Sequence, residues 1–201
     1  MTRAVHVEGE PVWELARLFP TQGNWSETEY LALNTNHFVE LSRGCLIFPP
    51  MPDLRHQSIL GHLLTVLYDY CKEHGGNVLP APLPLKLAPG EYREPDLLYL
   101  SVEQRAAIVG DYPDRAALVM EIVMGEAEDR DRVYINKRRD YAQAGIPEYW
   151  IVDPQEEVIF VLRLEGKEYV EHGRFIAGDT ATSSLLPGFT VPVADVWAAA
   201  N

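Results

Sequence analysis

Residues 117–123 read Ala-Leu-Val-Met-Glu-Ile-Val, an apolar run broken by a single carboxylate. A run this short and continuous predicts a strand covered on both faces, as in a sheet with helices on either side. Alternate side chains of a strand point to opposite faces, so Val119, Glu121 and Val123 share one and Leu118, Met120 and Ile122 the other. Glu121 is thereby predicted in apolar surroundings, where an ionised carboxylate is costly unless it is paired with a base or binds a cation. Upstream, Pro95-Asp96 opens a second apolar run, Leu97-Leu98-Tyr99-Leu100. If the two strands are neighbours, Asp96 and Glu121 converge on one hard cation such as Mg²⁺ or Mn²⁺. An ion pair of Glu121 with Arg or Lys is the bland reading of the same residue.

After this strand a helix is predicted from about residue 129 to 144, closed by Gly145. Val133, Lys137, Tyr141 and Ala144 fall on one face of it, so the lysine interrupts a stripe suited to packing on the sheet. Its ammonium either snorkels to the surface or reaches the two carboxylates, where it would orient a water or steady charge on a phosphate. In the second case Lys137→Ala is expected to abolish most of any activity at the site and leave the fold and metal binding largely intact. Lys86 is the next candidate should Lys137 face solvent. Residues 129–140 also hold five of the chain's 17 basic residues, either a basic patch or a solvated face with paired charges.

Upstream, residues 12–19 suggest a short helix ended by Pro20, and Ser26 with Glu29 has capping-box spacing. Residues 37–41 and 45–48 form a predicted hairpin about Ser42-Arg43-Gly44, ended by Pro49, Pro50 and Pro52. Asp53 caps a long amphipathic helix, with Ile59, Leu60, Leu63, Leu67 and Tyr70 on one face and Gly75-Gly76 as its stop. Further strands are expected at 77–79, 83–87, 96–100, 148–152, 158–164 and 169–176, with a brief helix at 102–108. Helices interspersed with strands in this way point to an α/β or α+β sheet with helices packed against it.

At 201 residues, 47% hydrophobic and 23% charged, the chain suits one substantial core, read as a lead-in over 1–24 and a single domain over 25–201. It has no apolar run long enough to cross a bilayer, and its first residues lack the pattern of a secretory signal, so a cytoplasmic protein without membrane association is expected. Cys45 and Cys71 have neither disulfide-framework nor zinc-ligand spacing and read as free thiols. A net charge of −13, from 30 acidic and 17 basic residues, opposes strong non-specific binding to nucleic acid.

The order Pro95-Asp96, then Glu121 in an apolar strand, resembles the PD-(D/E)XK nuclease superfamily, and the longer pattern resembles its Uma-two branch of restriction-endonuclease-like proteins. The matching features are Glu40-Leu41 before Gly44, His56-Gln57, Arg93-Glu94-Pro95-Asp96-Leu97, Glu121-Ile122-Val123, Asp131, and Lys137 before Tyr141. They continue through Gly145-Ile146-Pro147-Glu148-Tyr149-Trp150-Ile151-Val152-Asp153-Pro154 and Leu186-Pro187-Gly188-Phe189. The superfamily lysine is expected two residues after the glutamate, where this chain has Val123; in this branch it moves to the following helix and matches Lys137. Met124-Gly125 stands where the branch usually has a Ser-Pro-like pair.

The resemblance implies a restriction-endonuclease-like mixed sheet flanked by helices, with N-terminal helices and a β-hairpin. It also implies a DNA endonuclease in which Asp96 and Glu121 bind Mg²⁺ or Mn²⁺ and Lys137 assists hydrolysis. Glu40 is either a third acidic residue or half of a hairpin salt bridge. His56 is assigned a supporting role, and Asp131 is the remaining supporting candidate. A homodimer is expected, because cutting a duplex takes two nicks. The rival is a catalytically inactive module of the same fold that binds protein or nucleic acid.

Overall fold

The computed structural model describes residues 21–33, 38–125 and 127–200. The helix expected at 12–19 and His37, the first residue of the expected hairpin, lie outside them. Ser26 caps α1 (Glu27–Leu31): its hydroxyl accepts the Glu29 N–H while the Glu29 carboxylate accepts the Ser26 N–H. Strands β1 (Glu40–Ser42) and β2 (Cys45–Ile47) form the expected hairpin. Its turn needs Gly44, because φ there is +72° and a Cβ would lie 2.6 Å from the Gly23 carbonyl oxygen. The Asp53 carboxylate accepts the His56 N–H and starts α2 (Leu54–His74), which stops at Gly75.

Strands β3 (Asn77–Pro80), β4 (Leu85–Ala88), β5 (Glu91–Arg93) and β6 (Leu97–Leu100) follow, then the Ser101-capped helix α3 (Val102–Ala107). Strand β7 (Leu118–Ile122) leads into α4 (Ala127–Asp131), a π-helical turn (Arg132–Lys137) and α5 (Arg138–Gln143), with helical backbone across both junctions. The chain ends in β8 (Glu148–Asp153), β9 (Val158–Glu165), β10 (Glu168–Ile176), β11 (Thr180–Thr182), β12 (Thr190–Pro192) and α6 (Val193–Ala199).

The central sheet has the order β10-β9-β8-β7-β6-β3, with β7 and β8 parallel and the other neighbours antiparallel. A parallel pair needs a long crossover, and the helical stretch from Ala127 to Gln143 supplies it. Every residue of β7 and β8 is buried. On one face, Ile59, Leu60, Leu63 and Leu67 of α2 cluster with Leu97, Leu118, Met120, Ile122 and Trp150. On the other, Val133, Tyr141 and Ala142 cluster with Leu98, Val119, Val123, Tyr149 and Ile151. The alternation read from residues 117–123 is therefore the alternation between these two cores.

A second sheet, β2-β1-β5-β4, stands beside the first. It packs Leu41, Leu46 and Tyr92 with Trp25, Tyr30 and Val39. Leu41 faces this satellite core, so its neighbour Glu40 is turned the other way, toward the helix after β7.

Candidate functional site

The antiparallel register pairs Leu97 with Met120, Leu98 with Val119 and Tyr99 with Leu118. Asp96 and Glu121 are the next residues along the two chains beyond Leu97 and Met120, and both line one cavity. Asp96 is tied at both oxygens: Oδ2 accepts the Ile122 N–H at 2.7 Å, and Oδ1 lies 3.2 Å from His56 Nε2. Burial alone would raise its pKa, but the His56 hydrogen bond and charge, Lys137 and the Ile122 N–H together hold it below the ordinary value. Burial likewise disfavours protonated His56, and Asp96 outweighs it, so His56 is shifted upward. His56 thus supports Asp96 from the first turn of α2.

Glu121 is 2% exposed, and Lys137 is 1% exposed. The lysine does not snorkel: its Nζ lies 2.7 Å from Glu121 Oε1 and 2.9 Å from Glu40 Oε1. Tyr141 donates its hydroxyl to the same Glu121 oxygen at 2.6 Å. Burial drives the Glu121 pKa upward, Lys137 pulls it back and Asp96 pushes it up again, to about 7. Glu40 is buried and also lies 3.8 Å from Arg93 Nε, so it is a third acid in the cluster and a salt-bridge partner at once. Burial would raise Glu40, but Lys137, Arg93 and Arg132 bring it below the usual carboxylate range. Removing Lys137 would strand two buried carboxylates, so Lys137→Ala is expected to cost stability as well as any activity.

Asp131 is exposed and is not brought to this cluster. Two residues along a helix face different ways, and it is Asp129 that turns inward, 3% exposed. Asp129 accepts the Met124 N–H at 2.6 Å and both Nε and a terminal nitrogen of Arg132. The Met124-Gly125 loop is thereby pinned from the helix that follows it. Lys86 bonds Glu27 at 2.8 Å and stays outside the cluster.

Glu94, which the sequence marks only as part of a motif, lines a cavity of about 30 Å³ with Asp96, Glu121, Ile122 and Lys137, roofed by Pro49 and Pro50. Its Oε2 is buried without a hydrogen-bond partner, and burial followed by repulsion from Glu40 lifts its pKa to about 7. A cavity of that size holds one or two water-sized species. Its surplus of carboxylate, two members pushed toward neutrality and one oxygen unpaired, suits a hard cation.

Residues 25–194 match the Uma2 family, described as "Putative restriction endonuclease". The chain belongs to the Uma2 family. Its fold is restriction-endonuclease-like: the crystal structure of "a putative nuclease belonging to DUF820" from Anabaena variabilis ATCC 29413 superposes with a TM-score of 0.71. That likeness covers 88% of this chain and 99% of the other at 18% identity, a level that speaks to fold alone. No curated protein matches the sequence.

The two raised carboxylates give this Uma2 protein a pH signature. Folded Glu121 and Glu94 keep their protons to about 7, against an ordinary value of 4.5, so between those limits the folded state binds more protons than the unfolded. Their contribution to stability therefore declines as pH rises through that window. Metal-free urea unfolding at several pH values should show this decline, and Glu121→Gln should make it shallower. An unchanged slope in Glu121→Gln would show that the proton is held elsewhere.

Proposed function

We propose that this chain is a divalent-metal-dependent DNA endonuclease that hydrolyses phosphodiester bonds, with Asp96 and Glu121 as metal ligands. The observation that carries the reading is a fully buried ammonium, Lys137, 2.7 Å from Glu121 in a cavity that Asp96 also lines. Among the described residues no three His, Cys, Asp or Glu side chains gather as a ready-made metal cage. Magnesium does not require one, since it is commonly held by one or two carboxylates and fills its shell with water and substrate phosphate.

Bound there, Mg²⁺ or Mn²⁺ would polarise a phosphate and lower the pKa of a water. The protein groups have separable duties. His56 and the Ile122 N–H orient Asp96, Tyr141 orients Glu121, and Lys137 orients a water or offsets negative charge developing on phosphate. The net charge of −13 keeps non-specific affinity for DNA weak. A homodimer belongs to the same proposal wherever both strands of a duplex are cut together.

Mn²⁺ titration calorimetry tests the ligands. Wild type should bind Mn²⁺, and Asp96→Asn and Glu121→Gln should each weaken binding at least about tenfold, since second-shell changes alone reach that size. The same variants should lose Mg²⁺-dependent nicking of plasmid DNA. Mn²⁺ affinity unchanged in both variants, with no nicking by wild type, would favour the rival reading, a non-catalytic binding module. The observation on the rival's side is Met124-Gly125 in place of the Ser-Pro-like pair of the branch.

A further inference from the structure

The parallel strands β7 and β8 lead at their carboxyl ends into Val123-Met124 and Pro154-Gln155. Between these two ends and the first turn of α2 lies a cavity of about 100 Å³. Sheets with parallel strands seat ligands in this place, and the N-terminus of a helix beside it favours an anion. His56 and Met124 line both this cavity and the carboxylate cavity, so the two share a wall. Arg55 donates to the Pro154 carbonyl at 2.9 Å and pairs with no carboxylate among the described residues, so its charge is uncommitted. The carboxylate on the same wall, Asp53, is turned onto its own helix, where it accepts the His56 N–H at 2.8 Å. The N–H groups of Leu54 and Arg55 have no acceptor within the helix.

His56 supplies a separate observation. It is 6% exposed, and its Nε2 is spent on Asp96, which does not line this cavity. Its Nδ1, on the other edge of the ring, is buried without a partner and is one hydrogen bond short. The Met124-Gly125 loop contributes as well. Gly125 has φ +98°, and a Cβ there would collide with Gln155 Nε2, so the missing side chain is what lets the Gln155 amide lie across the loop at the rim.

We propose that this cavity binds the phosphate monoester at the end of a nucleic-acid strand, with Arg55 and the Gln155 amide on its oxygens and His56 Nδ1 behind it. The strand end rests on the nuclease reading, since phosphodiester hydrolysis in the adjoining cavity leaves a phosphate monoester; the phosphoryl site does not. Size fits one such group. A water takes about 10–15 Å³ of such space, so the cavity admits a phosphoryl group and is too small for a nucleoside. A monoester, whose second pKa is about 6, presents bare and protonated oxygens near neutral pH, and so can satisfy Nδ1 whether that nitrogen donates or accepts.

Titration calorimetry of the full chain with inorganic phosphate in EDTA tests the site without requiring cleavage. Wild type should bind phosphate saturably, Arg55→Gln should weaken it at least about tenfold and Gln155→Ala about threefold, and Arg55→Lys, which keeps the charge, should recover part of the loss. Both residues are exposed, so the variants should fold. An oligonucleotide ending in phosphate should bind at least about tenfold more tightly than the same sequence ending in hydroxyls, and inorganic phosphate should displace it. Equal affinity for the two ends would overturn the strand end as ligand. No saturable binding of phosphate, or binding indifferent to Arg55→Gln, would overturn the site itself. A Mg²⁺ cleavage assay separates the two readings: phosphate binding that depends on Arg55 without cleavage keeps the site and removes the nuclease, and cleavage without such binding does the reverse.

Discussion

Lys137→Ala should lower the unfolding free energy by about 3–5 kcal/mol at pH 8, the cost of leaving buried charge without its partner. Glu40 and Glu121 both lose the ammonium that lies within 3 Å of them, and neither can turn to solvent at 1% and 2% exposure. The deficit should shrink toward pH 5. Without Lys137 the folded-state pKa values of both glutamates rise, so each takes up a proton as pH falls and its buried charge disappears. Urea unfolding at the two pH values checks this; a deficit equal at both, or below about 1 kcal/mol, would mean that the ammonium does not hold the cluster together. On the proposed nuclease function, Mg²⁺-dependent cleavage by the variant under conditions where it remains folded should still fall by about 10²–10³-fold, the usual cost of losing one preorganised charge donor.

The second large effect lies away from this cluster. Glu148 is fully buried, and its carboxylate accepts from Trp150 Nε1 at 2.7 Å, the Ser183 hydroxyl at 2.7 Å, the Ser184 N–H at 2.6 Å and the Leu185 N–H at 2.9 Å. The Ser184 hydroxyl adds a fifth donor. These bonds fasten the segment between β11 and β12 to the parallel pair at the centre of the sheet. Glu148→Ala leaves the buried Trp150 indole N–H unsatisfied at about 1–3 kcal/mol and releases the donors of the less buried residues 183–185, which water can serve, so it should cost about 2–3 kcal/mol in all. Glu148→Gln, which keeps one acceptor oxygen, should fall between that variant and wild type. Thermal unfolding that ranks Glu148→Ala with wild type would remove the network from any account of stability.

The two variants mark where sequence reasoning reached and where it stopped. The direction of Lys137 was legible because Val133 and Tyr141, four residues to either side, had to pack on the sheet, and all three are buried. Glu121 and Asp96 were legible because each carboxylate interrupts an apolar stretch. The capping box at Ser26, the Asp53 cap and the glycine stop of α2 are local chemistry, and the structure has each of them. Glu148 was read only as the start of a strand and part of a matching stretch, because its donors lie about residues 183–185 and no local pattern announces them. Asp129 was passed over for Asp131 because the inward face at the start of a helix depends on how the preceding loop enters it. Its bond to the Met124 N–H is the missing information. β5, β11 and β12, of three residues each, are too short to show periodicity, and α6 follows β12 with no glycine or loop to announce a change of element.

The π-helical turn Arg132–Lys137 sits between β7 and the lysine that answers it. Its hydrogen bonds span five residues instead of four, so it carries one residue more than the α turn it replaces. Excising one residue there, at exposed Ile135 or Asn136, would restore an ordinary α-helix while Asp129 at one end and Tyr141 at the other kept their orientation. The chain length between glutamate and lysine is then free to shorten by one, with the ammonium still arriving at the same oxygen. The ruler between these two groups is a helix axis and not a sequence interval.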